Sequence, residues 1–244
     1  MTKPADPGRR DFLGVSAALA GVAIAPGILL YDYAQAKGAG EAASPKVRWG
    51  MLVDTTQCTE DCNACVDACR EVNGLSAPSR PTDVQWLRKV ELTDRKTGHK
   101  AFAPMMCQHF AEPPCVDVCP TGASFKRADG IVMVDRHICI GCRYCMMACP
   151  YKARSFVHEP QHDQKPDVPR GQGCVEACNL CAPRIDRGGT PACVEACAAA
   201  GRRAILFGDL NDPASEISRR LREVSTRALR ADLGLDPGVR YAGL

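Results

Sequence analysis

The cysteines constrain this chain more than anything else in it. All of the 16 except Cys174 fall into four groups with short, repetitive spacing. The tightest, CIGCRYCMMACP (residues 139–150), spaces Cys139, Cys142, Cys145 and Cys149 as C-x2-C-x2-C-x3-C and follows the last with Pro150. A short loop relaxed by Gly141 wraps its first three thiols around one small centre and leaves backbone N–H groups free to face it. The fourth thiol, one helical turn further on, points elsewhere. CTEDCNACVDAC supplies Cys58, Cys62, Cys65 and Cys69, with one extra residue between its first two thiols. Cys178, Cys181, Cys193 and Cys197 are spread as C-x2-C-x11-C-x3-C. The remaining group, MMCQHFAEPPCVDVCP (residues 105–120), offers Cys107, Cys115 and Cys119 but has His109 and Phe110 where a further thiol would be expected.

The run ending in Cys-Pro is the iron–sulfur spacing of bacterial ferredoxins. A structural zinc site more often shows two separated C-x2-C pairs, and a disulfide scaffold has no use for such close ligand runs. The 16 cysteines outnumber the 6 Phe, 5 Tyr and 2 Trp together, so something other than aromatic packing must organise the interior. The net charge of +3 is spread along the chain without a dense basic run, which argues against a nucleic-acid partner. No nucleophile–base constellation, Gly-rich phosphate loop or molybdenum-binding domain is written in the sequence. The chain reads as a carrier of electrons rather than a catalyst.

The N-terminus reads as an address. Arg9 and Arg10 precede the apolar stretch FLGVSAALAGVAIAPGILL (residues 12–30), and AQA (residues 34–36) offers a small-x-small cleavage site. This is the pattern of a twin-arginine export signal, with the mature chain starting near Lys37 in the periplasm. The competing reading, an uncleaved membrane anchor, is weakened by Pro26 and the Gly and Ala content of the stretch. The twin-arginine route carries folded proteins, so a cofactor inserted in the cytoplasm is enclosed before crossing. Cleavage leaves the balance at +3. Four clusters at about −2 each bring the loaded protein to about −5, which makes it acidic.

VRWGMLVD (47–54) is strand-like and leads into the first group. ASFKRADGIVMVD (123–135) reads as a hairpin turning at Asp129-Gly130. ARSFV (153–157) and AILF (204–207) read as short strands, and residues 158–173 as a polar loop. NDPASEISRRLREVSTRALR reads as one helix starting near Asp212-Pro213.

Four such groups in this order, with Cys-Pro closing the second and third, resemble the iron–sulfur subunits of periplasmic and molybdopterin-linked redox complexes. Within that family the export signal, the CTEDCNACVDAC spacing and the ending LRADLGLDPGVRYAGL are most similar to the DsrO-type subunits of DsrMKJOP sulfur-metabolism complexes. The resemblance implies an α+β fold of two bacterial dicluster-ferredoxin-like modules with crossed cysteine ligation, plus loops and a C-terminal helix. On this reading residues 1–36 are the signal, 37–99 carry the first group of module A and 100–158 form module B. Residues 159–210 hold the loop and last group completing module A, and 211–244 the C-terminal helix and tail.

The family pattern assigns Cys58, Cys62, Cys65 and Cys197 to one cluster and Cys69, Cys178, Cys181 and Cys193 to another. A third takes Cys119, Cys139, Cys142 and Cys145. The fourth receives Cys107, Cys115 and Cys149, and its remaining position falls on Phe110. Three [4Fe–4S] clusters and one [3Fe–4S] or atypically ligated cluster follow, since a three-iron cluster needs only three thiolates. An empty site and a cubane completed by His109 are the competing readings. His109 is read either as an iron ligand or as a hydrogen-bond donor beside the cluster. The implied partners are a quinone-interacting membrane subunit of the NrfD/DsrP type and a periplasmic cytochrome c or a molybdopterin subunit.

Overall fold

The computed structural model describes residues 42–244 apart from 163 and 167. The export signal and the start near Lys37 lie outside the described residues. Strand β1 (Trp49–Asp54) buries Met51, Leu52 and Val53 almost completely. Its unbroken apolar run suits a strand covered on both faces. It leads into helix α1 (Ala64–Val72), which ends at the buried Asn73. Next come β2 (Arg88–Thr93) and β3 (Lys100–Met105), an antiparallel hairpin. Its tip is turned by Asp94, whose Oδ1 accepts from the Lys96 N–H at 2.7 Å, and by Gly98 at φ +72°. Helix α2 (Pro114–Asp117) follows, then β4 (Ser124–Lys126) and β5 (Val132–Val134), paired around Gly130 at φ +87°. This is the hairpin expected at Asp129-Gly130.

Helix α3 (Tyr144–Ala148) and β6 (Arg154–Phe156) complete the middle of the chain. β6 pairs antiparallel with β7 (Val175–Ala177), which runs into α4 (Ala182–Ile185) and α5 (Ala192–Ala199). β8 (Ile205–Asp209) returns antiparallel to β1. The short strands expected after the third and fourth cysteine groups are therefore present.

The C-terminal region differs from the sequence expectation of one long helix and a tail. Helix α6 (Glu216–Glu223) is capped by Ser215, whose Oγ accepts from the Ser218 N–H at 3.2 Å. It ends at Glu223, and Val224 is already extended at φ −114°, ψ 143°. Residues 224–226 read Val-Ser-Thr, two of them β-branched, and favour extended backbone at a helix end. Thr226–Arg227 form β9 against Tyr241–Ala242. The final strand β10 (Val239–Ala242) runs parallel to β1, giving the sheet order β8-β1-β10-β9. The tail thus supplies a central strand rather than an appendage. A Cβ on Gly50 would lie 2.5 Å from the Gly238 carbonyl oxygen, so this close approach of backbone requires glycine.

One face of this sheet carries α6, through Leu52, Ile217 and Ala242. The other, through Met51 and Val53, joins the core that holds Cys69, Cys193 and Cys197. Two helix pairs, α1 with α5 and α2 with α3, stand beside the cysteine loops. Arg127 ties the β4–β5 turn to the end of α4, donating to both oxygens of Asp186 at 2.6 and 2.8 Å and to Asp129 at 2.8 Å.

Candidate metal centres

The fold collects the cysteines into four sites. Cys58, Cys62, Cys65 and Cys197 line the first, between the loop after β1 and α5. Cys69, Cys178, Cys181 and Cys193 are mutual electrostatic neighbours at the second. Cys107, Cys115 and Cys149 line the third together with Phe110. Cys119, Cys139, Cys142 and Cys145 line the fourth. Every cysteine singled out from the sequence is placed in one of these four sets, and each set mixes residues from two groups. Cys174 stays outside them, its Sγ donating to the Gly171 carbonyl at 2.8 Å.

The sites form a row. Cys65 of site 1 neighbours Cys69 and Cys193 of site 2. Cys178 of site 2 neighbours Cys107 of site 3, and Cys115 of site 3 neighbours Cys145 of site 4.

Burial pushes the Cys58 thiol up to about 11 and Cys65 up to about 12, with Cys197 adding to both. Burial takes Cys107 to about 12 against the pull of Arg154. Cys69, Cys178 and Cys193 are raised well above 9.0 by burial and by one another. Thiols in such surroundings become thiolates only when a bound cation replaces the proton. Among the described residues no three His, Cys, Asp or Glu side chains converge to hold a single metal ion. Three or four cysteine thiols lining one cavity suit a polynuclear iron–sulfur group.

Hydrogen bonds to sulfur fit the same group. The closing cysteine of each sequence group accepts one: Cys119 from the Ser124 amide at 3.3 Å, Cys149 from Ala153 at 3.4 Å and Cys197 from Ala204 at 3.2 Å. Cys69 receives the Asn73 side-chain amide at 3.7 Å. At Cys119 burial works upward, but the N–H of Ser124 and the Thr121 side chain outweigh it and the thiol is lowered. Such donors stabilise thiolate sulfur and are the protein's means of adjusting a cluster.

Site 3 answers the question posed by His109 and Phe110. Phe110 is 5% exposed and faces the three thiols, its ring stacked on Tyr151 at 5.5 Å between centroids. The tail seals it from behind. Phe110 bridges to Pro237, the Ala111 N–H donates to Asp236 O at 3.0 Å, and Leu229 and Leu235 pack on the aromatic pair. His109 is buried at φ +45°, with Nδ1 accepting from the Val132 N–H at 3.0 Å. Burial, then the Arg154 charge, lower its pKa to about 3, so the ring is neutral. A neutral imidazole that accepts at Nδ1 carries its proton at Nε2. The His109 Nε2 is buried with no hydrogen-bond partner among the described residues.

Sequence reasoning passed over two residues. Lys89, on the unforeseen β2–β3 hairpin, donates through Nζ to the carbonyls of Thr59 at 3.2 Å and Cys62 at 3.0 Å, and to that of Glu60. It ties down the ligand loop of site 1. Arg154 donates to Cys115 Sγ at 3.0 Å. Its signal was a lone arginine in a strand otherwise small and apolar, immediately after Cys-Pro-Tyr-Lys-Ala.

Comparison with known proteins bears on this arrangement. A family model described as a 4Fe-4S dicluster domain matches residues 99–209. Iron–sulfur subunit 1 of the Hdr-like menaquinol oxidoreductase of Archaeoglobus fulgidus is 43% identical over 265 aligned positions, covering 97% of this chain and 98% of the relative. The chain belongs to this family of iron–sulfur subunits. Other relatives include protein NrfC of Escherichia coli, 42% identical with 78% of each chain covered. A tetrathionate reductase component from Salmonella typhimurium is 36% identical, over 82% of this chain and 74% of the relative.

Proposed function

We propose that the protein relays electrons along four iron–sulfur clusters, three [4Fe–4S] at sites 1, 2 and 4 and one [3Fe–4S] at site 3. The observation that carries the reading is the unbroken row of thiol sites, whose two end sites differ in surface. At site 1 Lys89 and Arg202 share the cavity rim with the thiols. At site 4 Arg143, Thr121 and Ser124 line the cavity too, but Ile140 stands 67% exposed beside Cys139 and Cys142. An integral membrane subunit of the NrfD/DsrP type suits the end with the exposed isoleucine, and a periplasmic partner such as a cytochrome c suits the end with the two cations. The Archaeoglobus relative is named for menaquinol, a lipid-soluble reductant, which supports work at a membrane. Among the described residues no helix is long and apolar enough to cross one; on this reading attachment runs through the partner. The DsrO-type assignment, export by the twin-arginine route and peripheral placement at the inner membrane belong to the same proposal.

A second reading, the electron-transfer subunit of a molybdopterin oxidoreductase acting on a sulfur compound, is favoured by relatives named as components of tetrathionate reductase and of sulfite dehydrogenase. Native purification with mass spectrometry of the partners separates the two: an NrfD-type membrane subunit with a cytochrome, or a large molybdopterin subunit. A colourless protein without iron overturns both.

Site 3 has its own test. Three thiols converge there on an apolar ring, which disfavours water as a fourth ligand. EPR of the oxidised protein is expected to show a near-isotropic three-iron signal, and Phe110→Cys to abolish it while adding one iron per chain. Full iron loading without that signal overturns the three-iron assignment.

A further inference from the structure

The ribbon of β6 and β7 buries two charged side chains and treats them differently. Glu176 is 1% exposed and fully partnered. It accepts from Trp86 Nε1 at 3.1 Å and from Arg170 Nε at 3.1 and 3.2 Å, with Arg136 at 4.0 Å. Arg154 is 5% exposed and has thiols in place of a carboxylate. One Nη donates to Cys115 Sγ at 3.0 Å, and the guanidinium also hydrogen-bonds Cys145. Its Nε and other Nη are buried without any hydrogen-bond partner among the described residues.

A buried guanidinium with no anion is among the least tolerable groups in a protein interior. The same ribbon shows that this chain supplies partners where it needs them. Arg154 therefore awaits an anion at the place where its free N–H groups sit. Cys115 belongs to site 3 and Cys145 to site 4, so the guanidinium stands between the two. Loaded clusters are themselves anions, and two of them side by side repel.

We infer that Arg154 is the fixed counter-cation of sites 3 and 4. It donates to the sulfur of both clusters, offsets their repulsion and raises both reduction potentials. The reduced state carries one more negative charge, so a cation between the sites favours it. A guanidinium keeps its charge at any pH at which the protein is folded, so the bias is constant and does not act as a switch. Arg154 is a positioning and potential-setting residue that works through the cluster thiolates.

The inference rests on the cluster reading above, and the test separates the two. The measurement is an EPR-monitored redox titration of the cluster-loaded chain in its native complex. Arg154→Gln is expected to lower the reduction equilibrium constants of sites 3 and 4 at least tenfold, which is about 59 mV for a one-electron couple. Sites 1 and 2 are expected not to move, and Arg154→Lys to shift sites 3 and 4 by less than half as much. Unchanged titrations of sites 3 and 4 in an iron-replete Gln variant overturn the inference, as does an equal shift at all four sites. If the Gln variant fails to retain iron, the Lys variant decides. Recovery of iron and of near-normal potentials supports the charge role, and equal iron loss overturns it. Absence of clusters from the unmodified protein overturns the cluster reading instead.

Discussion

The two ends of the row use nearly the same ligand spacing and present different surfaces. Between the cysteines of CTEDCNACVDAC stand Thr-Glu-Asp, Asn-Ala and Val-Asp-Ala; between those of CIGCRYCMMAC stand Ile-Gly, Arg-Tyr and Met-Met-Ala. At site 1 the spacer residues are largely polar, and Arg202 and Arg203 line an adjoining cleft with Asp54. At site 4, Ile138, Ile140, Tyr144 and Met147 are 48, 67, 52 and 67% exposed. Val118 and Phe125, also exposed, lie on the segments beside Cys119 and on β4. Several large apolar side chains exposed along one short segment are the kind of surface that serves as a contact face. The cysteines thus decide what is held, and the residues between them decide what is met. The supporting helices differ too: α1 and α5 have 9 and 8 residues, α2 and α3 only 4 and 5. Site 4 therefore leans more heavily on its loop.

That asymmetry is most sharply tested at Gly141. A Cβ there would sit 2.2 Å from the Gly173 carbonyl oxygen, on a residue held at φ +70°. Gly141→Ala is expected to displace the loop and lower iron by about one cluster per chain, read by iron analysis and the site-4 EPR signal. Asp61→Ala, in the exposed spacer of site 1, is expected to leave iron content unchanged. Equal losses at the two ends would remove the distinction.

A smaller effect is expected from Ile140→Asp combined with Met147→Asp. Both side chains are exposed, so thermal unfolding should change by no more than about 0.5 kcal/mol each. Binding to the proposed membrane subunit should weaken by about 2–4 kcal/mol, seen as loss of co-purification. Retained co-purification moves the docking face elsewhere.

The least effect is expected from Lys89→Met, which removes the donor to three carbonyls of the site-1 loop. A cost of about 1–3 kcal/mol is expected, with faster iron loss from site 1 under chelator and none from site 4. Iron release at equal rates from both ends would show that the lysine does not act locally.

What was legible in the sequence was local. Ligand spacing, the Asp129-Gly130 turn and the apolar run of β1 each follow from a few neighbouring residues. The β2–β3 hairpin escaped because its outer positions carry charges, Glu91 and Lys100 among them, and resemble a polar linker. The tail escaped because its outcome depends on a distant strand: an Arg-rich stretch such as residues 219–230 has helical character until β10 offers an edge at Thr226. Arg154 escaped because a charged residue inside a short strand gains its meaning only when Cys115 and Cys145 arrive from elsewhere. Gathering of the cysteines into four sets follows the resemblance and not the spacing, since each set draws on groups far apart in the chain.

The parallel pairing of β1 with β10 also sets a schedule. A ribosome delivers Cys58 early and Tyr241 near the end, yet Tyr241 is fully buried and joined to Gln108, 133 residues upstream, by a 3.1 Å hydrogen bond. Until that strand emerges, β1 has an open edge and the wall behind Phe110 is missing. The surroundings of site 3 are therefore completed by residues more than a hundred positions downstream of Phe110, so this site depends on the order in which distant parts of the chain come together.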